Sequence, residues 1–194
     1  GQKEEAERIL GNCTIVTCAV AIVLTLIFTI FAEKFLWWFG ATEESIGYAV
    51  DYMRIYALGT IFVELALGLN AFITAQGFSL IGMLSVVIGA VINIALDPIL
   101  IYACSLGVKG AAIATVVSQA ASAVWVVSFL LGKKTVLKIR LKYFKVSLAS
   151  YLPCVALGLS PFIMQFTESV ISVCFNVSLR SYGGTPAVGA MTIL

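Results

Sequence analysis

The chain contains no histidine. That absence removes histidine-held zinc sites, Ser-His-Asp triads and the HExxH metalloprotease motif from this stretch. Charge is scarce as well. Lys, Arg, Asp and Glu make up 11% of 194 residues, against about 25% in soluble domains. Five cysteines (Cys13, Cys18, Cys104, Cys154 and Cys174) show no CxxC pairing, and four lie in apolar runs. They read as small packing residues rather than disulfides or metal ligands. No nucleophile and base stand at a useful spacing, so an enzyme is the least favoured reading. No cofactor or nucleic-acid partner is expected.

What the chain has is apolar length. Hydrophobic residues make up 61% and mean hydropathy is +1.05, the composition of a membrane protein. Five runs are long enough to cross a bilayer as helices: 12–32, 55–76, 78–103, 110–131 and 148–179. Strands are excluded by the lack of sustained alternation and by open sheet edges being untenable in lipid. The fold class is therefore all-α, a polytopic membrane helix bundle, with membrane lipid as its solvent.

Basic residues set the orientation. Lys133, Lys134, Lys138, Arg140, Lys142 and Lys145 follow the fourth run with no acid among them, which makes 133–147 a cytoplasmic connector. Counting back, 33–54 is an outside loop, Gly77 an inside turn and the N-terminus inside. Trp37 and Trp38 suit an interface belt. Leu137, Ile139, Leu141 and Tyr143 alternate with the bases, as an extended connector on the headgroups or a polybasic lipid-binding segment does; the plain connector is favoured. The first residues are acidic (Glu4, Glu5, Glu7) and the chain starts at Gly1. That is a poor signal peptide, and the chain reads as a piece of a longer protein, with the remainder of its own chain as a partner.

Three acids stand alone in long apolar runs: Glu64, Asp97 and Glu168. An Asp near the middle of a membrane helix costs ~3 kcal/mol, so one that persists faces a cavity or a partner. Asp97 is the most informative. Gly82, Ser85, Gly89, Asn93 and Asp97 share one helix face, small at one end and polar at the other. Pro98 has no N–H, so the carbonyl of Ile94 loses its usual helical partner. Carboxylate, amide and carbonyl together suit a proton, Na+ or a cationic solute. The plainer alternative is an interhelical hydrogen bond beside a proline kink.

Glu168 shares its face with Gln165, Ser172 and Asn176, below a kink expected near Gly158 to Pro161, and suits coupling if it exchanges protons. Glu64, with Thr60 and Gly68 on its face, lines a cavity or packs against a neighbour. The stripes Thr14, Cys18, Thr25, Thr29 and Ala111, Thr115, Ser118, Ser122 read as helix-packing faces. Gly132-Lys133-Lys134-Thr135 lacks the spacing of a phosphate loop.

The segments Leu69-Asn70-Ala71-Phe72-Ile73-Thr74-Ala75-Gln76-Gly77, Asn93-Ile94-Ala95-Leu96-Asp97-Pro98 and Gly107-Val108-Lys109-Gly110-Ala111-Ala112-Ile113-Ala114-Thr115 resemble multidrug and toxic compound extrusion (MATE) transporters. So do Tyr182-Gly183-Gly184 and Ala187-Val188-Gly189-Ala190. The resemblance implies two six-helix lobes about a central cavity, exporting small organic cations in exchange for H+ or Na+. It implies that 1–132 holds four helices of the first lobe, helices three to six. Residues 133–147 then form the linker, and 148–194 holds the first helix of the second lobe and the start of the next. Asn93 and Asp97 match the family's polar pair in the first-lobe pocket, where Na+ is one candidate ion, and Glu168 matches an acid on helix seven. Glu64 matches no expected acid. The implied role is multidrug efflux by a multi-pass inner-membrane antiporter. The rivals are a lipid-linked flippase of the same fold and a membrane subunit with no transport.

Overall fold

A computed structural model describes residues 2–132, 134–139 and 148–191. Of the basic connector, Lys133, Arg140, Lys142 and Lys145 lie outside the described residues, as do Leu141 and Tyr143. The described elements are helical: α1 (Gln2–Ile30), α2 (Ala32–Trp38), α3 (Ile46–Leu58), α4 (Thr60–Ala75), α5 (Ser79–Pro98), a π-helical turn (Ile99–Ala103), α6 (Val108–Leu131) and α7 (Leu148–Met191).

Four stretches are long and apolar enough to cross a membrane, Lys3–Ile30, Ser79–Ala103, Val108–Leu131 and Gly158–Leu179. A fifth arises if α3 and α4, bent by 53° at Gly59, count as one broken span. Five crossings agree with the sequence, but their limits do not. The expected outside loop 33–54 is largely helix, because α3 begins at Ile46. Ile46, Ala49, Val50, Met53 and Ala57, spaced three and four apart, give α3 an apolar face against α1 and α6. Asp51 and Arg54 lie off that face, and Asp51 pairs with Lys109 on α6 at 3.2 Å. A boundary drawn at the last charge therefore cuts a helix that outlasts the hydrocarbon. In the same way α1 starts ten residues before Asn12, and α7 continues through Gly158 to Pro161 and past residue 179 as one helix. A separate helix before Met191 is not seen among the described residues.

α6 is the hub, packing against α3, α4, α5 and the π-helical turn. Its buried side chains are small (Gly110, Ala112, Ala114, Ser118, Ser122, Ala123), which lets neighbouring backbones come close. At one end Leu10, Leu69, Ile73, Val126 and Leu130 form a fully buried apolar cluster joining α1, α4 and α6. Phe78 and Phe129 meet edge to face beside it at 5.2 Å. Leu137 and Ile139 pack on this cluster, so the described apolar residues at the start of the alternating connector turn onto the protein's own core. Between α4 and α5 the chain reverses over Gln76, Gly77 and Phe78. Gly77 sits at φ +89°, a left-handed conformation that only glycine adopts cheaply.

Candidate functional site

α5 carries the polar pair, and its neighbours create the space beside it. Gly82 and Ser85 are buried, while Gly89, Asn93 and Asp97 are half-buried. Asn70 of α4 donates from Nδ2 to the Gly82 carbonyl at 3.2 Å. Ser122 of α6 donates from Oγ to the Ser85 carbonyl at 2.8 Å. Both approaches exploit a missing Cβ. One on Gly82 would stand 2.6 Å from Asn70 Oδ1, and one on Gly89 would strike Ser122 Oγ. The α5 stripe is thus held from two sides by polar side chains bonded to its backbone.

Beyond these clamps the three helices part, leaving a cleft of about 240 Å³. Its polar walls are Asn70 from α4, Ser85 and Asn93 from α5, and Thr115, Ser118, Gln119 and Ser122 from α6. Asp97 stands one turn beyond Asn93, whose Nδ2 lies 3.5 Å from Asp97 Oδ1. The hydroxyl protons are already committed within the protein. Thr115 donates to the Ala111 carbonyl, Ser118 to the Thr115 carbonyl and Ser122 to the Ser85 carbonyl. Each hydroxyl has one proton, so these three present only lone pairs to the cleft. Asn70 Oδ1 takes no hydrogen bond but is buried against Gly82 rather than open to the cleft. Among the described residues no three of His, Cys, Asp and Glu cluster as a metal site would need. One carboxylate with several neutral oxygens suits a proton or a singly charged hard cation better than a transition metal.

At the lower end of α5, Pro98 ends the α-helix. The backbone then widens into the π-helical turn, where the Cys104 N–H donates to the Ile99 carbonyl at 3.0 Å. π-turns of this kind recur at functional sites.

The other acids lie elsewhere. Glu168 on α7 is exposed and accepts from Gln165 Nε2 at 3.1 Å. Ser172 is exposed and Asn176 half-buried further along the same face. α7 packs on α1 and not on α4, α5 or α6 among the described residues, so Glu168 is not brought to the Asn93–Asp97 pair. Glu64 lines a second hollow, between α1, α3 and α4.

From the sequence neither Asn70 nor Gln119 is a site candidate, and the Ala111, Thr115, Ser118, Ser122 stripe is favoured as a packing face over a binding face. The stripe both packs and lines the cleft. A signal was present: α5 and α6 each carry a small polar stripe, and two such stripes facing each other enclose oxygens.

Residues 1–99 match the MatE family model. The multidrug export protein MepA of Staphylococcus saprophyticus is 29% identical over 162 residues, 83% of this chain and 36% of the relative. MepA of Staphylococcus haemolyticus is 33% identical over 143 residues, 74% and 32%. A structure described as the inward-facing conformation of a multidrug resistance MATE family transporter of the MOP superfamily superposes with TM-score 0.86 and 26% identity. It spans 92% of this chain and 41% of that one. A MOP superfamily transporter from Pyrococcus furiosus, described as having a binding pocket of reverse polarity, gives 0.85 and 26%, over 98% and 42%. The chain spans about a third of the length of the curated relatives it matches. With the family model covering just over half of it and the helix arrangement matching solved relatives, this chain belongs to the MatE family, the multidrug and toxic compound extrusion transporters.

Proposed function

We propose that this chain supplies the ion-binding half-cavity of a secondary active exporter of small organic cations or drugs. H+ or Na+ entering the Asn93–Asp97 cleft drives the exchange, and the protein alternates between inward- and outward-open states. The carrying observation is a half-buried carboxylate one turn beyond a cleft whose Thr115, Ser118 and Ser122 hydroxyls have their protons committed elsewhere. An uncompensated acid at this depth costs free energy that ion binding recovers, and differential ion affinity between two states supplies the drive. The names of the curated relatives, multidrug export proteins, support the same activity. The basic residues after α6 support a cytoplasmic connector and N-terminus. Glu168 serves as a second coupling acid, in a part of the protein that α7 begins.

The flippase reading draws on the Pyrococcus furiosus relative, whose pocket is described as reversed in polarity on the same fold. The cleft here is lined by no Lys or Arg, which favours a cationic solute. The test is ion-driven efflux of a fluorescent cation from vesicles containing the full-length protein. Asp97→Asn, which keeps shape and removes the charge, is expected to lower the rate at least tenfold while the protein stays folded. Wild-type efflux in that variant overturns the assignment.

A further inference from the structure

The second hollow, about 270 Å³, opens where the α3–α4 span turns by 53°. The turn is built in. Gly59 is buried at the joint, and a Cβ there would lie 2.6 Å from Val116 Cγ2 of α6. From the other side Thr25 of α1 donates to the Ala57 carbonyl at 2.9 Å. Discontinuous membrane helices with backbone pinned in this way are a recurrent setting for ligand sites near the bilayer midplane.

Around the joint stand Phe28 from α1, Met53 and Tyr56 from α3, and Thr60 and Glu64 from α4. Glu64 is half-buried, and among the described residues its carboxylate has no hydrogen-bond or ion-pair partner. An unpaired anion in an apolar hollow calls for a positive occupant. The walls decide which kind. Phe28 and Tyr56, the latter stacked on Tyr52, bring aromatic surface that attracts a cation, a methionine adapts to irregular shapes, and few polar atoms are present to replace a metal ion's hydration shell. The hollow is separate from the Asn93 cleft: the two share no lining residue, and on α4 Thr60, Val63 and Glu64 border the one while Ala66, Leu67 and Asn70, further along the helix, border the other.

We infer that this hollow is a second binding site, for a small organic monocation with an apolar or aromatic body, with Glu64 as its counter-ion. The site goes beyond the antiport reading and does not depend on it. The probe is radiolabelled benzyltrimethylammonium, in equilibrium dialysis against the full-length protein in phosphatidylglycerol nanodiscs, whose headgroups carry no amine. Two classes of binding are expected in the wild type. Glu64→Gln loses one class or weakens it at least tenfold, Glu64→Asp retains it, and Asp97→Asn leaves it in place. Adding phosphatidylethanolamine is expected to leave it unchanged. If that amine lipid displaces the probe, the occupant is a headgroup and the inference fails. If Glu64→Gln binds as the wild type does, the carboxylate is neutralised elsewhere in the protein and the inference also fails. Wild-type efflux in Asp97→Asn, with the Glu64-dependent class of probe binding intact, would overturn the antiport reading alone.

Discussion

Two glycines on facing helices show how finely the cleft is held. A Cβ on Gly110 would lie 2.7 Å from the Leu100 carbonyl carbon and oxygen, both backbone atoms of the π-helical turn. One on Gly89 would collide with the hydroxyl of Ser122, while the Ser118 carbonyl oxygen, at 3.5 Å, stays at ordinary contact. Backbone cannot step aside, whereas a serine rotates at the loss of its bond to Ser85, worth about 1 kcal/mol. Gly110→Ala is therefore expected to destabilise by about 1–3 kcal/mol through overpacking, despite the helix preference of alanine. Gly89→Ala is expected to cost less. Thermal midpoints of the two purified variants check the order. At this scale the sequence announced Asn93 and Asp97, because an acid before proline in an uncharged run is costly. It left Asn70 and Gln119 silent, because a polar residue on an apolar helix gains meaning only from what faces it.

Gln76 governs an element boundary. It ends α4, its Nε2 donates to the Phe72 carbonyl at 2.9 Å, and its Oε1 accepts from the backbone N–H of Val136 and Leu137, each at 2.9 Å. The Thr135 hydroxyl lies 2.8 Å from both Gln76 Oε1 and the Leu137 carbonyl, and its one proton serves either. Two amide donors converging on one atom require an oxygen there, so the amide orientation is determined. Gln76→Ala orphans these donors and is expected to speed hydrogen exchange at Leu137 at least tenfold. Gln76→Glu keeps a stronger acceptor and is expected to stay near the wild-type rate. Equal acceleration in both variants would show that the clamp is not what protects the segment. None of this was legible beforehand, since residues 76 and 135–137 are some sixty apart and the pattern in neither stretch points to the other. The span limits were misread for a related reason: charge marks where hydrocarbon ends, and α1, α3 and α7 are longer than the hydrocarbon.

At the scale of the molecule, α7 stands apart from the α4–α5–α6 cleft, touching α1, with Glu168 exposed beside Gln165. Removing its charge breaks no tertiary contact among the described residues. Glu168→Gln is therefore expected to leave the thermal midpoint of the full-length protein within about 1 °C, the effect of a surface change. It is expected to reduce ion-driven efflux. A large fall in stability would instead mark Glu168 as a buried pairing partner elsewhere in the protein. By itself the sequence determined the membrane class, the long apolar runs and the isolated acids, because transfer into hydrocarbon is additive along a chain and is written residue by residue. Only the tertiary structure decided which oxygens share a cleft, where the α3–α4 span breaks and that Glu64 and Asn93 line different hollows. Those outcomes depend on helix faces meeting across tens of residues, where the absence of one Cβ decides how close two helices come.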